Sequence, residues 1–187
     1  VSLGAEPSGE RPLRLVGDLL YLERYWADES TVARELRTRW QRPVEIVDLA
    51  ALQAARAELF AAGPDSEPDA DQELAAVVGA LSPVAVIAGG PGTGKTTTLA
   101  RLLGMVLRST GTAPVIGLAA PTGKAAVRMD EALADALATM PPDLAEPLRS
   151  LRASTIHRLL GWVPESRNRF AHHAGNPLPH DLVVIDE

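Results

Sequence analysis

Residues 89–96 read Gly89-Gly90-Pro91-Gly92-Thr93-Gly94-Lys95-Thr96, and this stretch decides the fold. It fits the pattern G-x-x-x-x-G-K-[ST], in which the backbone N–H groups of a glycine-rich loop surround a phosphate. An apolar run at 83–88 precedes the loop and predicts a buried parallel strand. Apolar residues at helical spacing follow it and end at Gly111. Strand, loop and helix therefore occur in the order that phosphate binding requires.

The residue types in this loop favour a nucleotide with a metal ion. We expect Lys95 to reach the β- and γ-phosphates of ATP and the Thr96 hydroxyl to ligate Mg²⁺. The chain has only two lysines, Lys95 and Lys124, and a compact ammonium suits a crowded phosphate cradle better than a planar guanidinium. The alternative is a glycine-rich turn without function. The predicted ATP contacts in the loop are Gly89, Gly90, Pro91, Gly92, Thr93, Gly94, Lys95, Thr96 and Thr97.

Composition restricts the class of protein. The chain has no cysteine, which excludes disulfides and thiolate metal sites. Its apolar runs are shorter than the roughly 20 residues of a membrane span, and no secretory signal opens it, so we expect a cytoplasmic protein without membrane contact. The net charge of −6 argues against general attraction to nucleic acid. Arginines and histidines concentrate within 148–173, which is either a local nucleic-acid contact or a solvated basic loop.

We predict two domains joined by a linker rich in proline and acidic residues. The N-terminal domain, 1–62, is expected to be a small α+β module that docks to another subunit, with a hairpin turn at Gly17-Asp18 and a helix over 29–40. The linker occupies 63–70. The remainder, 71–187, alternates helices with apolar strands at 115–120 and 182–185. This pattern predicts an α/β fold with a parallel sheet and ligands at the carboxyl ends of its strands.

Two acidic residues follow the last apolar strand. Asp186 and Glu187 fit the Walker B arrangement, in which the first carboxylate holds Mg²⁺ and the second polarises the attacking water. The alternative is a solvated acidic segment. Because a phosphate-binding loop lies upstream, we predict that Lys95, Asp186 and Glu187 are the catalytic residues and that Thr96 and Asp186 bind the metal.

Several motifs in order resemble the RecD family of superfamily 1 DNA helicases, the alpha subunits of exodeoxyribonuclease V. After the loop come Ala-Ala-Pro-Thr-Gly-Lys at 119–124, Ser-Thr-Ile-His-Arg-Leu-Leu-Gly at 154–161 and Val-Val-Ile-Asp-Glu at 183–187. The resemblance implies a RecA-like P-loop motor domain and an ATP-dependent 5′→3′ DNA helicase that acts in double-strand-break repair by homologous recombination. It also implies partnership with the beta and gamma subunits, RecB and RecC, and with single-stranded DNA and duplex ends.

The same resemblance implies roles for residues outside the loop. Gln72 matches the helicase glutamine that hydrogen-bonds adenine, although a surface glutamine on a helix is the alternative. Thr122 and Lys124 match a loop that contacts the backbone of single-stranded DNA, and Thr155 and His157 match a second strand-contacting motif. A histidine at a helix start can instead be a local cap.

The sequence also departs from the family pattern. The family's later motifs and its second motor domain do not occur, and its N-terminal domain is only partly present. We therefore expect a fragment whose parallel sheet is incomplete and which does not unwind DNA alone. Two alternatives stay open, namely a stand-alone RecD-like helicase outside the RecBCD complex, and a module that only binds nucleotide or docks to a subunit.

Overall fold

The computed structural model describes residues 12–44, 48–61, 69–90, 92–163 and 170–186. Their contacts form two compact units, treated separately below. The smaller unit contains the described residues up to Val44 together with Ser82–Ala85, and the larger unit contains the rest. This division lies earlier in the chain than the predicted linker at 63–70, of which 63–68 fall outside the described residues. The predicted domain bounds and the docking role of the first domain remain predictions.

The smaller unit consists of a hairpin and one helix. Strands β1 (Leu13–Val16) and β2 (Leu19–Leu22) pair antiparallel, and helix α1 (Glu23–Trp40) follows at once. The Gly17-Asp18 turn is confirmed, and Gly17 has a φ of 57°, a left-handed conformation that glycine adopts without steric cost. Helix α1 begins six residues before the predicted start at 29.

The larger unit holds the remaining helices and three strands. Two of its helices begin at aspartate caps, because the carboxylates of Asp48 and Asp69 accept hydrogen bonds from first-turn N–H groups. Over the described ranges, no helix is both long and apolar enough to cross a membrane. The elements in chain order are α2 (Leu49–Leu59), α3 (Ala70–Ala80), α4 (Lys95–Ser109), β3 (Ile116–Ala120), α5 (Gly123–Ala138), α6 (Pro142–Leu148), β4 (Ala153–Thr155), α7 (Ile156–Leu160) and β5 (Leu182–Ile185).

The three strands form a parallel sheet in the order β4-β3-β5. Leu118 of the central strand lies opposite Ala153 on one side and Val184 on the other. Both predicted strands are therefore confirmed, at 116–120 and 182–185, together with the α/β fold class. Because all three strands are parallel, their carboxyl ends share one edge of the sheet.

The core of this unit surrounds α4. Leu103 and Met105 of α4 are fully buried among α2, α3, α5 and α6, and Leu52 and Leu59 of α2 belong to the same core. Residues that precede the predicted linker thus help to build the domain that follows it. The buried face of α5 closes the core with Met129, Leu133 and Leu137.

The strand predicted over 83–88 is wrong. None of these residues is in a strand, and Val86 is 87% exposed. A strand needs a neighbour to satisfy its backbone N–H and C=O groups, and none of the described residues pairs with this segment. Ile87 packs against the core from this irregular segment, so the apolar run has a buried side chain without a strand.

Candidate functional site

The glycine-rich loop leads directly into α4. Gly92 and Gly94 have φ values of 77° and 78°, and such left-handed turns allow the chain to bend sharply before the helix. Gly94 is the N-cap of α4 and has no side chain to cap it, so the first N–H groups of the helix remain available to a ligand. A helix start of this kind attracts anions through its N–H groups and its dipole.

Lys95 lies inside the loop at the start of α4. Its Nζ donates to the carbonyl oxygens of Gly89 and Gly90, each at 2.9 Å. The Thr93 hydroxyl also donates to the Gly90 carbonyl, at 2.9 Å. The ammonium is thus held among neutral acceptors. A phosphate would replace them with charged oxygens, which form shorter and stronger hydrogen bonds.

The three threonines after Lys95 differ in their surroundings. Thr98 is buried, and its hydroxyl donates to the Gly94 carbonyl at 3.0 Å, so this side chain fixes the first turn of α4. Thr96 and Thr97 are half-buried, and their hydroxyls bond to none of the residues that the structure describes. The Thr96 hydroxyl is therefore available to coordinate a metal ion. Pro91 lies outside the described residues.

Gln72 reaches the loop from α3. Its Nε2 donates to the Thr93 carbonyl at 3.3 Å, and its Oε1 accepts from Nη1 of Arg101 at 3.4 Å. A Cβ added at Gly94 would lie 2.5 Å from the Gln72 Nε2, so any side chain there would displace the Gln72 amide, and the φ of 78° itself favours glycine. The structure therefore brings Gln72, predicted from a distant part of the sequence, against the loop.

Sequence reasoning missed Arg101. This residue lies on α4 and contacts Gln72, and its guanidinium also lies 4.8 Å from the centre of the Phe60 ring. The helical spacing after Lys95 did not indicate a role for Arg101, because arginines are common on the polar faces of helices. Only the packing of α2 and α3 against α4 reveals its partners.

Asp186 occupies the carboxyl edge of the sheet. Its backbone N–H donates to the Ala119 carbonyl at 3.0 Å, which extends the pairing of β5 with β3 by one residue, and the residue is half-buried. Within the described part of the chain, no hydrogen bond or ion pair joins Asp186 to Lys95 or Thr96. No cluster of three or more acidic or histidine ligands occurs there either. Glu187 lies outside the described residues.

The four predicted DNA contacts gather at the same edge. Thr122 caps α5, where its hydroxyl accepts from the Ala125 N–H at 3.2 Å, and Thr155 caps α7 in the same way. Thr155 is paired in register with Ala120, the last residue of β3, so both caps follow neighbouring strand ends. Lys124 and His157 are exposed in the first turns of α5 and α7.

The hydroxyls of both threonines are thus engaged within the protein, while the exposed cation and imidazole remain available. The His157 ring packs edge-on against Phe170 at 5.7 Å, which orients it. Arg149 forms an exposed pair with Glu146, and Arg152 donates to backbone carbonyls. Arg167 and Arg169 of the predicted basic segment lie outside the described residues.

Comparisons with known proteins find similarities over most of the chain. Residues 72–187 match the family model described as an AAA domain. The chain is 43% identical over 202 residues to the RecBCD enzyme subunit RecD of Mycolicibacterium smegmatis, covering 100% of this chain and 33% of that protein. It is 42% identical over 175 residues to RecBCD enzyme subunit RecD of Mycobacterium tuberculosis (strain CDC 1551 / Oshkosh), covering 90% of this chain and 28% of that protein.

A further similarity is to a DNA helicase that is not named as a RecBCD subunit. The ATP-dependent RecD2 DNA helicase of Deinococcus radiodurans is 39% identical over 108 residues, covering 54% of this chain and 11% of that protein. The chain spans about a third or less of the length of these relatives. The match to the AAA domain model includes Gln72, the glycine-rich loop and Asp186 and extends over more than half of the sequence, so the chain belongs to the AAA domain family.

Proposed function

We propose that this chain is the nucleotide-binding part of an ATP-dependent 5′→3′ DNA helicase, the alpha subunit of exodeoxyribonuclease V. The observation that carries the proposal is the glycine-rich loop at the uncapped start of α4, with the Lys95 ammonium held inside it by two carbonyls at 2.9 Å. The loop brings one cation and several N–H donors together, an arrangement suited to phosphate oxygens.

The residues present fit ATP with Mg²⁺. Gly92 has no neighbour within 4 Å of a Cβ position, so the loop backbone is open to a ligand. The free Thr96 hydroxyl and the Asp186 carboxylate would hold the ion, because hard oxygen ligands suit Mg²⁺. When bound, Mg²⁺ neutralises charge on the phosphates.

Each remaining residue has a task in hydrolysis. Lys95 exchanges its two carbonyl partners for the β- and γ-phosphates, and Gln72 binds the adenine edge. Glu187 accepts a proton from the water that attacks the γ-phosphorus, while the bond from that phosphorus to the β–γ bridging oxygen breaks and ADP leaves. The loop residues from Gly89 to Thr97 position the triphosphate, and closure of this site drives movement along DNA.

The proposed DNA path runs along the carboxyl edge of the sheet. Lys124 and His157 contact backbone phosphates of a single strand, while Thr122 and Thr155 hold the two helix starts that carry them. Such contacts are insensitive to base sequence, as a helicase requires. Asp186 at the same edge would place ATP turnover close to the DNA.

The partners and location are inferred from the relatives. We propose that the chain assembles with the RecB and RecC subunits, that its N-terminal part contributes to this docking, and that it acts on DNA ends during double-strand-break repair in the cytoplasm. The similarity to RecBCD subunits over 90% or more of the chain favours this role over a stand-alone helicase, because the RecD2 similarity covers 54%.

A module that binds ATP without turnover is the second candidate, and phosphate release decides between them. Purified chain is incubated with Mg²⁺ and ATP, with and without single-stranded DNA, and compared with Lys95→Ala. DNA-stimulated release that Lys95→Ala abolishes supports a motor ATPase. Binding of ATP without any release supports the module, and absence of binding contradicts the proposal.

A further inference from the structure

We infer that Arg101 is a positioning residue that orients the Gln72 carboxamide and thereby sets a preference for adenine over guanine nucleotides. The inference rests on the proposed nucleotide site. Arg101 does not belong to the glycine-rich loop or to any motif in the sequence, and its role follows from three contacts within the larger unit.

The contacts form a chain from the core to the loop. The Arg101 guanidinium lies over the ring of Phe60, which is 8% exposed, at 4.8 Å from its centre. From there Nη1 donates to Oε1 of Gln72 at 3.4 Å, and Nε2 of Gln72 donates to the Thr93 carbonyl at 3.3 Å. A rigid aromatic support therefore fixes the guanidinium, which in turn fixes the amide.

This arrangement permits one orientation of the amide. A guanidinium offers only donors and a backbone carbonyl only acceptors. Turning the Gln72 amide by 180° would place its NH₂ against Arg101 and its oxygen against the Thr93 carbonyl, and both contacts would be repulsive. Removing the donors of Arg101 leaves the Thr93 carbonyl as the only described partner that orients the amide.

The orientation matters because the two purines present different edges. Gln72 retains one acceptor site on Oε1 and one N–H on Nε2. Adenine offers a donor at N6 beside an acceptor at N7, which this pair satisfies, whereas guanine offers two acceptors at O6 and N7. Guanine would therefore place its O6, an acceptor, against Oε1, which is also an acceptor. A good bidentate pair discriminates by about 5- to 150-fold.

The test is a competition experiment on the 187-residue chain. An ATP analogue with its fluorophore on the ribose is displaced by ATP, GTP or inorganic triphosphate in the presence of Mg²⁺. We expect Arg101→Met, which keeps an unbranched stem over Phe60, to lower the preference for ATP over GTP at least threefold relative to wild type. The affinity for inorganic triphosphate should stay within twofold, because the phosphate cradle is unchanged.

Matched variants separate positioning from a general structural effect. Arg108→Met, on the same helix, removes an arginine that pairs with Glu58 and Asp143 and should leave the preference unchanged. In a Gln72→Ala background, Arg101→Met should have no further effect on the preference. Arg101→Lys keeps the positive charge but not the planar guanidinium, so it should lower the preference for ATP over GTP by less than Arg101→Met does. If Arg101→Met does not fold, Arg101→Lys provides the test.

Three results would overturn the inference. One is a wild type that binds ATP and GTP equally, and another is an Arg101→Met preference equal to that of wild type. The third is an equal loss of affinity for ATP, GTP and inorganic triphosphate, which would mark a structural role. A wild type that binds none of the three contradicts the proposed nucleotide site itself.

Discussion

Helices α1 and α4 are similar in length but differ in what they contact. All 18 residues of α1 are described, and none of them is buried, whereas α4 buries seven of its 15. The apolar residues Val32, Leu36 and Trp40 of α1 are 57%, 47% and 65% exposed. Helical spacing of apolar residues is present in both helices, so the spacing alone does not determine whether a face is buried.

The two units are consequently stabilised by different interactions. In the smaller unit, the Arg14 guanidinium donates to both carboxylate oxygens of Glu23, at 2.7 and 2.5 Å, and lies 3.7 Å from the Trp26 ring centre. In the larger unit, fully buried side chains such as Leu103 and Met105 stabilise the fold. None of the described apolar residues of the smaller unit is buried, whereas the larger unit, which bears the candidate site, has a buried core.

The largest effect is expected from a truncation in the core. Leu103→Ala should lower the free energy of unfolding of the larger unit by about 2–5 kcal/mol, since Leu103 is fully buried and its truncation leaves a cavity in the core. Leu36→Ala in α1 is the matched control and should change stability by less than about 0.5 kcal/mol. Urea unfolding measures both. Equal losses would remove the contrast between the two helices.

A smaller effect is expected from acid. The hydrogen bond from Arg14 lowers the pKa of Glu23 below its ordinary value of 4.5. Because the folded carboxylate keeps its charge to lower pH, its contribution to stability is complete above pH 4.5 and is lost as the pH falls through the lowered pKa. Hydrogen exchange of the backbone amides in 13–26 measures this effect. After correction for intrinsic exchange rates, protection should fall as the pH drops below 4.5.

Glu23→Gln is the control for this pH dependence. The substitution removes the titrating group, so protection of the hairpin should then vary less with pH, and amides in β3 should show the same profile in both proteins. A hairpin whose protection falls equally with pH in Glu23→Gln would contradict the role of the ion pair.

The smallest expected effect concerns DNA. Lys124→Ala should reduce the slope of log K against log salt for single-stranded DNA by about 0.7, the contribution of one phosphate contact. Arg37→Ala removes a cation from the last turn of α1 and should leave the slope unchanged if DNA binds at the carboxyl edge of the sheet. The reverse pattern would place the DNA contact in the smaller unit.

Local sequence was sufficient to predict features that depend on neighbouring residues. The Gly17-Asp18 turn and the helix that starts at Lys95 depend on nearby residues, and both are present. The predicted strand at 182–185 is also present, because β3 is there to pair with it. The strand over 83–88 failed because a strand requires a partner elsewhere in the chain, and a run of apolar residues does not show whether that partner exists.

Contacts between distant segments account for the rest of the site. Gln72 was assigned from a family resemblance, and its hydrogen bond to Thr93, 21 residues later, depends on how α3 packs on α4. A role for Arg101 could not be predicted from the sequence, because its inferred role depends on Phe60 at the end of α2 and on Gln72 in α3. Sequence periodicity reports which face of a helix is apolar, not which residue of another element it meets.

The central claim is that the loop before α4 binds nucleotide through Lys95, and titration of a fluorescent ATP analogue tests it most directly. Removing the Lys95 ammonium eliminates a charge-assisted contact with phosphate, so Lys95→Ala should weaken binding by about 10- to 150-fold. Lys124→Ala, the same substitution at the only other lysine, should leave the affinity within twofold. Equal affinity of wild type and Lys95→Ala for the analogue would contradict the account.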